Sequence, residues 1–347
     1  MKYTLVGAGA IGGSMAAWLS RSGADILYVD VIPEHVQAMN EKGLTILDPS
    51  GGDFTVPVKA VLMDDLADSM EVVFLATKTQ HTRGAMEKIA PLLKKDGYVV
   101  SLQNGLNEYV IAEYVGEERV VGAFVNWAAD YIEPGVIQFG IHSHFSIGEL
   151  DGRVTPRILE LRDFCSPFQP VEVTSHIMSR LWSKQVNISA MFATGISLLL
   201  IPGGMEFEPS QQAIASLALE AMQVPAKMGI PLESHDDFAP ELYRQGRYQQ
   251  AMRVTADHYR SMVKNYTGLY RDLAVRKRRS EIDGTVGVTV EMGEEQGLDL
   301  PMSKKLIEMV HQIEEGKRGI STENLLELAA AFERFYPQGL EELLRRV

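Results

Sequence analysis

The chain has 347 residues, more than a single hydrophobic core of roughly 250–300 residues accommodates, so two domains are expected. Hydrophobic residues make up 46% and charged residues 23%, the balance of a globular protein. A net charge of −13 argues against nucleic acid and anionic membranes as partners. Cys165 is the single cysteine, which excludes an internal disulfide and fits a reducing, cytoplasmic setting. With no base or electropositive group near it in sequence, Cys165 reads as packing rather than as a nucleophile.

In chain order, Tyr3–Val6 is a short apolar run ending in glycines, expected to be a buried strand. That opening is read as leaving no signal peptide. Helix spacing follows over Ile11–Ser22, a strand over Ile26–Asp30, and a helix over Pro33–Lys42 that stops at Gly43. Val56–Leu62, Val72–Ala76 and Tyr98–Ser101 read as further strands, with a helix over Thr82–Leu93. Strands alternating with helices imply crossover units and a parallel sheet covered on both faces. Val120–Asn126, Val136–Phe139 and Phe145–Ile147 are short, Gly- and Pro-punctuated strands expected to finish that sheet. Beyond Val173 the pattern turns helical: His176–Leu200, Ser210–Met228, Tyr248–Arg278, Glu281–Gln296, Ser303–Glu315 and Thr322–Tyr336, the last with Ser321 as N-cap. The expected architecture is α/β: a doubly wound Rossmann domain over residues 1–172, then an all-α domain over 173–347. The longest apolar stretch, from Ser189 to Pro202, is too short to span a bilayer. The long helices offer surfaces on which a homodimer could form.

Gly7-Ala8-Gly9-Ala10-Ile11-Gly12 is a G-x-G-x-x-G between a predicted strand and a predicted helix, the context that makes it a dinucleotide-binding turn. Gly7 permits the tight turn, Gly9 lets backbone approach a pyrophosphate, and Gly12 lets helix and strand pack. The helix N-terminus offers backbone N–H groups and a partial positive charge, so an acidic protein can hold an anionic cofactor. Asp30 ends the second strand, where a carboxylate grips ribose hydroxyls and repels a 2′-phosphate. Val31 brings no compensating charge, so the residues lean to NAD over NADP. The competing reading has Asp30 merely ending its strand while a later base such as Lys42 reaches the phosphate.

Lys78 follows the fourth predicted strand and Asn104 the fifth. Both lie at the carboxyl edge of a parallel sheet, where ligands bind, and are expected at the nicotinamide and substrate. His142 and His144 are two residues apart, with no further ligand close in sequence. They are read as solvent-edge histidines, and no metal is expected. The scattered methionines read as core filler.

Taken together, Gly7–Gly12, the Lys78 strand end, Leu102-Gln103-Asn104-Gly105, Glu133-Pro134-Gly135, Leu181-Trp182-Ser183-Lys184 and Arg279-Ser280-Glu281-Ile282-Asp283 resemble the ketopantoate reductase family, in register from Met1 to about Arg318. The resemblance implies NADPH-dependent reduction of 2-dehydropantoate to pantoate by a Rossmann domain followed by a helical one. It makes Lys184 the general acid and Glu281 the acidic residue that bonds the substrate hydroxyl and borders the cofactor. The chemistry agrees: hydride arriving at a carbonyl carbon leaves negative charge on oxygen, which an ammonium stabilises and protonates. Asn104, Lys184, Asn187 and Glu281 are expected to line a cleft between the domains. The run Arg276-Lys277-Arg278-Arg279 reads as one charged helix face.

Three departures from the family pattern point to a divergent member acting on another 2-oxo acid. Family members carry asparagines four and eight residues after the lysine; here Asn187 follows Lys184 by three, and Met191 stands near the second place. The serine expected before an Asp-Leu segment has Thr267 as its stand-in. Asp30 stands where an arginine commonly favours NADP. Arg271 is a candidate replacement clamp for the substrate carboxylate. Two alternatives stay open: a non-catalytic dinucleotide sensor, and an opine-type imine reductase.

Overall fold

The computed structural model describes residues 1–260, 262 and 265–347. Contacts between Cα atoms divide the chain into two compact units, Met1–Met178 and Ser179–Val347.

The first unit carries strands β1 (Tyr3–Val6), β2 (Ile26–Asp30), β3 (Leu44–Leu47), β4 (Phe54–Val56), β5 (Lys59–Leu62), β6 (Met70–Leu75), β7 (Leu93–Ser101), β8 (Val120–Val125), β9 (Ala128–Glu133), β10 (Val136–Ile141), β11 (Phe145–Glu149) and β12 (Glu172–Val173). Its helices are α1 (Ala10–Arg21), α2 (Pro33–Lys42), α3 (Thr82–Ile89), α4 (Asn107–Val115) and α5 (Pro156–Cys165). The main sheet runs β12-β11-β8-β7-β6-β1-β2-β5. All its pairings are parallel except β11 with β8. From β1 the chain adds strands toward β5, then returns to place β6 on the other side, which is the doubly wound Rossmann arrangement and its switch point. Strand residues alternate between two cores. Leu5, Tyr28, Val72, Phe74 and Val100 join the cluster beneath α1, while Val6, Val29, Val73, Leu75 and Val99 join the one containing Met86 and Ile111. Continuous apolar strands are what a sheet buried on both faces requires.

A second sheet, β4-β3-β10-β9, corrects two expectations. Val136–Phe139 lies in it and does not extend the main sheet: β10 forms a hairpin with β9 and pairs in parallel with β3. The hairpin turn is built on Gly135, whose φ is 79°, a conformation that favours glycine. The expected strand Val56–Leu62 is two strands in different sheets, because Pro57 sits between β4 and β5 and cannot donate to a ladder. His142 and His144 are exposed and lie in the loop between β10 and β11, off any strand. Cys165 is fully buried, and burial pushes its thiol well above the usual range.

The second unit is helical: α6 (Ile177–Met191, whose first two residues belong to the first unit), α7 (Ile201–Met205), α8 (Gln211–Lys227), α9 (Pro240–Arg244), α10 (Tyr248–Arg260), α11 (Gly268–Tyr270), α12 (Val288–Glu295), α13 (Pro301–Glu314), α14 (Glu323–Phe335) and α15 (Glu341–Leu344). Helix α8 is its axis, buried continuously from Ala213 to Pro225 and packed against α12, α13 and α14. Three of the long helices expected here are shorter. His176–Leu200 ends as helix at Met191 and tightens into a 3₁₀ turn over Phe192–Ile196. Tyr248–Arg278 stops at Arg260, with residues 261, 263 and 264 of that span outside the described residues, and resumes only at Gly268. Glu281–Gln296 begins with a π turn over Asp283–Gly287. At α14 Thr322 occupies the cap position expected of Ser321, whose hydroxyl accepts from Glu323 N at 3.3 Å. No described helix is long and apolar enough to cross a membrane.

Candidate active site

In the first unit the carboxyl ends of β1, β2 and β6 meet at the glycine turn. Gly7 adopts φ 94° and donates its N–H to Val29 O at 2.8 Å; a Cβ there would lie 2.8 Å from the Ala76 carbonyl carbon. A Cβ at Gly12 would lie 2.5 Å from Gly7 O and 2.7 Å from both Ala76 Cβ and Leu5 Cδ1, so Gly12 is demanded by helix–strand packing. At Gly9 a Cβ would meet nothing within 4 Å. The protein's own packing makes no use of glycine there, and the space over the turn is open. Gly9 caps α1 without any side-chain bond, ahead of Ala10 and Ile11.

Asp30 is buried, and three main-chain donors fix it. Oδ2 accepts from Ala8 N at 2.8 Å, while Oδ1 accepts from Val31 N at 2.8 Å and Ile32 N at 3.1 Å. A carboxylate offers about four lone-pair positions, so about one stays open. Val31 and Ile32 stand exposed beside it. His35, fully buried, was not singled out from sequence. Its Nδ1 accepts from Gly135 N and its Nε2 donates to Ala8 O, both at 2.9 Å, tying the Glu133-Pro134-Gly135 hairpin to the glycine turn.

Lys78 is half-buried in the loop after β6, and Asn104 is exposed in the loop after β7. Side chains that the sequence did not announce lock the two loops together. Gln103 Nε2 donates to Thr77 O at 2.9 Å and to Thr82 Oγ1 at 2.8 Å; Thr82 Oγ1 donates to Asn107 Oδ1 at 2.8 Å; and Asn107 Nδ2 donates to Asn104 O at 2.6 Å. Gly105, at φ 83°, turns the chain into α4.

In the second unit Lys184 sits on α6 as the one partly exposed residue in a run buried from Leu181 to Ala190. Arg180 and Asn187 share its helix face, and together with Ser183 they bond one loop. Arg180 Nε pairs with Glu233 at 3.2 Å, Ser183 Oγ accepts from Glu233 N at 2.8 Å, and Asn187 Nδ2 donates to Asp237 Oδ2 at 2.8 Å. Gln185 Nε2 donates to Thr289 Oγ1 at 2.8 Å, so α6 lies against α12, which follows the segment carrying Glu281. Glu281 is half-buried, and its carbonyl accepts from Thr285 Oγ1 at 2.6 Å. Thr267 is buried, and its hydroxyl caps α11, accepting from Tyr270 N at 3.0 Å. Gly195 admits it near the end of α6, since a Cβ on Gly195 would lie 2.7 Å from Thr267 Oγ1. Arg271 is half-buried at the start of a π turn, Arg271–Val275. The basic run beyond it is no helix face: Lys277 turns through φ 46°, and Arg276 and Arg278 fold back onto buried Asp272 at 3.4 and 2.8 Å. Among the described residues no group of three His, Cys, Asp or Glu is placed to hold a metal.

A Rossmann sheet with a G-x-G-x-x-G turn between β1 and α1, followed by a helical unit, is the architecture of an NAD(P)-dependent oxidoreductase. The chain belongs to the ketopantoate reductase PanE/ApbA family: the sequence model of that family matches residues 3–152, and that of its C-terminal domain matches 176–314. A 2-dehydropantoate 2-reductase of Pyrococcus abyssi is 29% identical over 322 residues, 92% of this chain and 100% of the relative. A solved PanE/ApbA-family ketopantoate reductase from Ralstonia eutropha JMP134 is 26% identical with a TM-score of 0.78, covering 91% of this chain and 99% of that one. A D-mandelate dehydrogenase solved with NADH and anilino(oxo)acetate, 23% identical, shares the fold at a TM-score of 0.78 over 91% and 99% of the two chains.

Proposed function

We propose that this protein reduces a small 2-oxo acid, ketopantoate or a close analogue, to the 2-hydroxy acid with NADH, and that Lys184 is the general acid. The observation that carries the reading is Lys184 itself: a half-exposed cation in an otherwise buried stretch of α6, on the face whose neighbours are all tied down. A dihydronicotinamide supplies the hydride. Residues 1–172 hold the cofactor, with the Gly7–Gly12 turn under the pyrophosphate, Asp30 on the ribose, and Lys78 and Asn104 toward the ring. Residues 173–347 handle the substrate. The Lys184 Nζ–H stabilises the developing oxyanion and transfers its proton to that oxygen as the C–H bond forms; solvent then restores the ammonium. Glu281, Asn187 and Thr267 contact the substrate's polar groups, and Arg271 takes its carboxylate.

Preference for NADH follows from Asp30, whose fixed carboxylate would face a 2′-phosphate. Lys42 ends α2, roughly 15 Å along the helix axis from Ile32 at 1.5 Å per residue, too far to offset that charge. Initial rates against a panel of branched 2-oxo acids, each with NADH and with NADPH, test both claims, and adding an amine to the panel exposes imine reduction. Lys184→Ala should lose on the order of 10²–10⁴ in kcat with NADH affinity unchanged. A variant that keeps its turnover rejects Lys184 as the acid, and a wild-type chain that binds NADH but turns over no member of the panel is a sensor.

A further inference from the structure

Asp237 lies in the loop before α9 and is only 5% exposed. A buried carboxylate is costly unless it is paired, and the pairs identify its use. Oδ2 accepts from Asn187 Nδ2 at 2.8 Å, Oδ1 lies 2.9 Å from His235 Nδ1, and the main-chain oxygen accepts from Thr255 Oγ1 at 2.7 Å. The Tyr259 phenol bonds the same carboxylate. Charged groups face it from every side: His235 in its own loop, with Asp236 adjacent; His258 from α10; and Lys184 from α6. Burial opposes its ionisation, yet the His235 hydrogen bond and the electrostatic influence of His235, His258 and Lys184 prevail and hold it below the usual carboxylate range.

Given the reductase reading above, we propose that Asp237 is a positioning residue of the reaction: it fixes the amide of Asn187 and sets a permanent negative charge behind Lys184. With Nδ2 committed to Asp237, the atom Asn187 has left to offer is Oδ1, which is buried and has no hydrogen-bond partner among the described residues. Asn187 is therefore held in one orientation on α6, three residues beyond Lys184. The charge of Asp237 favours the ammonium form of Lys184, the form that donates a proton.

Asp237→Asn keeps the shape and removes the charge. Its kcat should fall on the order of 10²-fold, the scale of a misplaced reacting group. The alkaline limb of its kcat–pH profile should move toward acid by about one unit, as expected for loss of a nearby opposite charge, with NADH affinity unchanged. Unchanged kcat and limb overturn the proposal, and so does a fall in kcat without movement of the limb, since a structural defect alone gives that. Lys184→Ala, assayed in parallel, separates the two claims. If it is inactive while Asp237→Asn is normal, only the role of Asp237 fails; if it is active, the acid assignment fails first. Should Asp237→Asn not fold, the wild-type chain decides. The Asn187 side-chain amide protons, assigned by their loss in Asn187→Ser, should resist solvent exchange and shift as Asp237 titrates; free exchange overturns the proposal.

Discussion

Gly9 and Gly12 belong to one motif and answer to different masters. Gly12 is held by the protein, since any Cβ there collides with Gly7 O and the Ala76 side chain. Gly9 has an extended backbone, φ −70° and ψ −162°, that any residue adopts, and open space around it. Gly12→Ala should therefore destabilise the fold by about 1–3 kcal/mol, the usual cost of overpacking. Gly9→Val should leave stability within about 0.5 kcal/mol and weaken NADH binding at least roughly tenfold, because the pyrophosphate loses its close approach. Thermal unfolding and NADH fluorescence titration of the two variants check this crossing of effects. The motif was legible because its spacing is local. Asp237 was not, because nothing in Ser234-His235-Asp236-Asp237 announces that its carboxylate will meet an amide fifty positions upstream.

Elements follow the same rule. β1, β2 and α2 carry the bounds their sequence patterns predict, since apolar runs, Pro33 and Gly43 are local signals. β3 escaped detection because one of its partners, β10, lies some ninety positions away; β9 pairs with the adjacent β10, but its mixed run Ala128-Ala129-Asp130-Tyr131-Ile132-Glu133 lacks a clean apolar alternation. Helix α13 shows how one element depends on another. Its first amides are capped by a side chain of α8: Glu220 Oε1 accepts from Met302 N at 2.8 Å and from Tyr336 OH at 2.6 Å, and Oε2 accepts from Ser303 N and Ser303 Oγ, both at 2.8 Å. Four donors converge on one fully buried carboxyl group, and burial outweighs their hydrogen bonds to push its pKa up to about 7. Glu220→Gln must turn an NH₂ toward two of those donors, and should destabilise the helical unit by about 1–3 kcal/mol. Urea unfolding followed by circular dichroism measures it, and an unchanged midpoint would show that the carboxyl is not what anchors α13.

At the scale of the molecule, ligand binding is predicted to act as a stability term. NADH at 100 times its Kd should add about 2.7 kcal/mol to the unfolding free energy of the form that binds it, and NADPH at the same concentration should add less if Asp30 repels its phosphate. Thermal melts with each nucleotide read this directly, and equal shifts would remove the argument for NADH. The sequence alone determined the Rossmann class, the glycine turn and the acidic residue at the end of β2, because each is written in contiguous residues whose spacing is itself the physical constraint; the candidacy of Lys184 came from the family resemblance, carried by the order of several short segments. Only the tertiary structure decided that β10 leaves the main sheet, that Gln103 and His35 brace the cofactor loops, that the basic run folds back on Asp272, and that Asp237 stands under Asn187. Those are pairings between positions remote along the chain, and one sequence carries no record of which distant groups burial will force to satisfy each other.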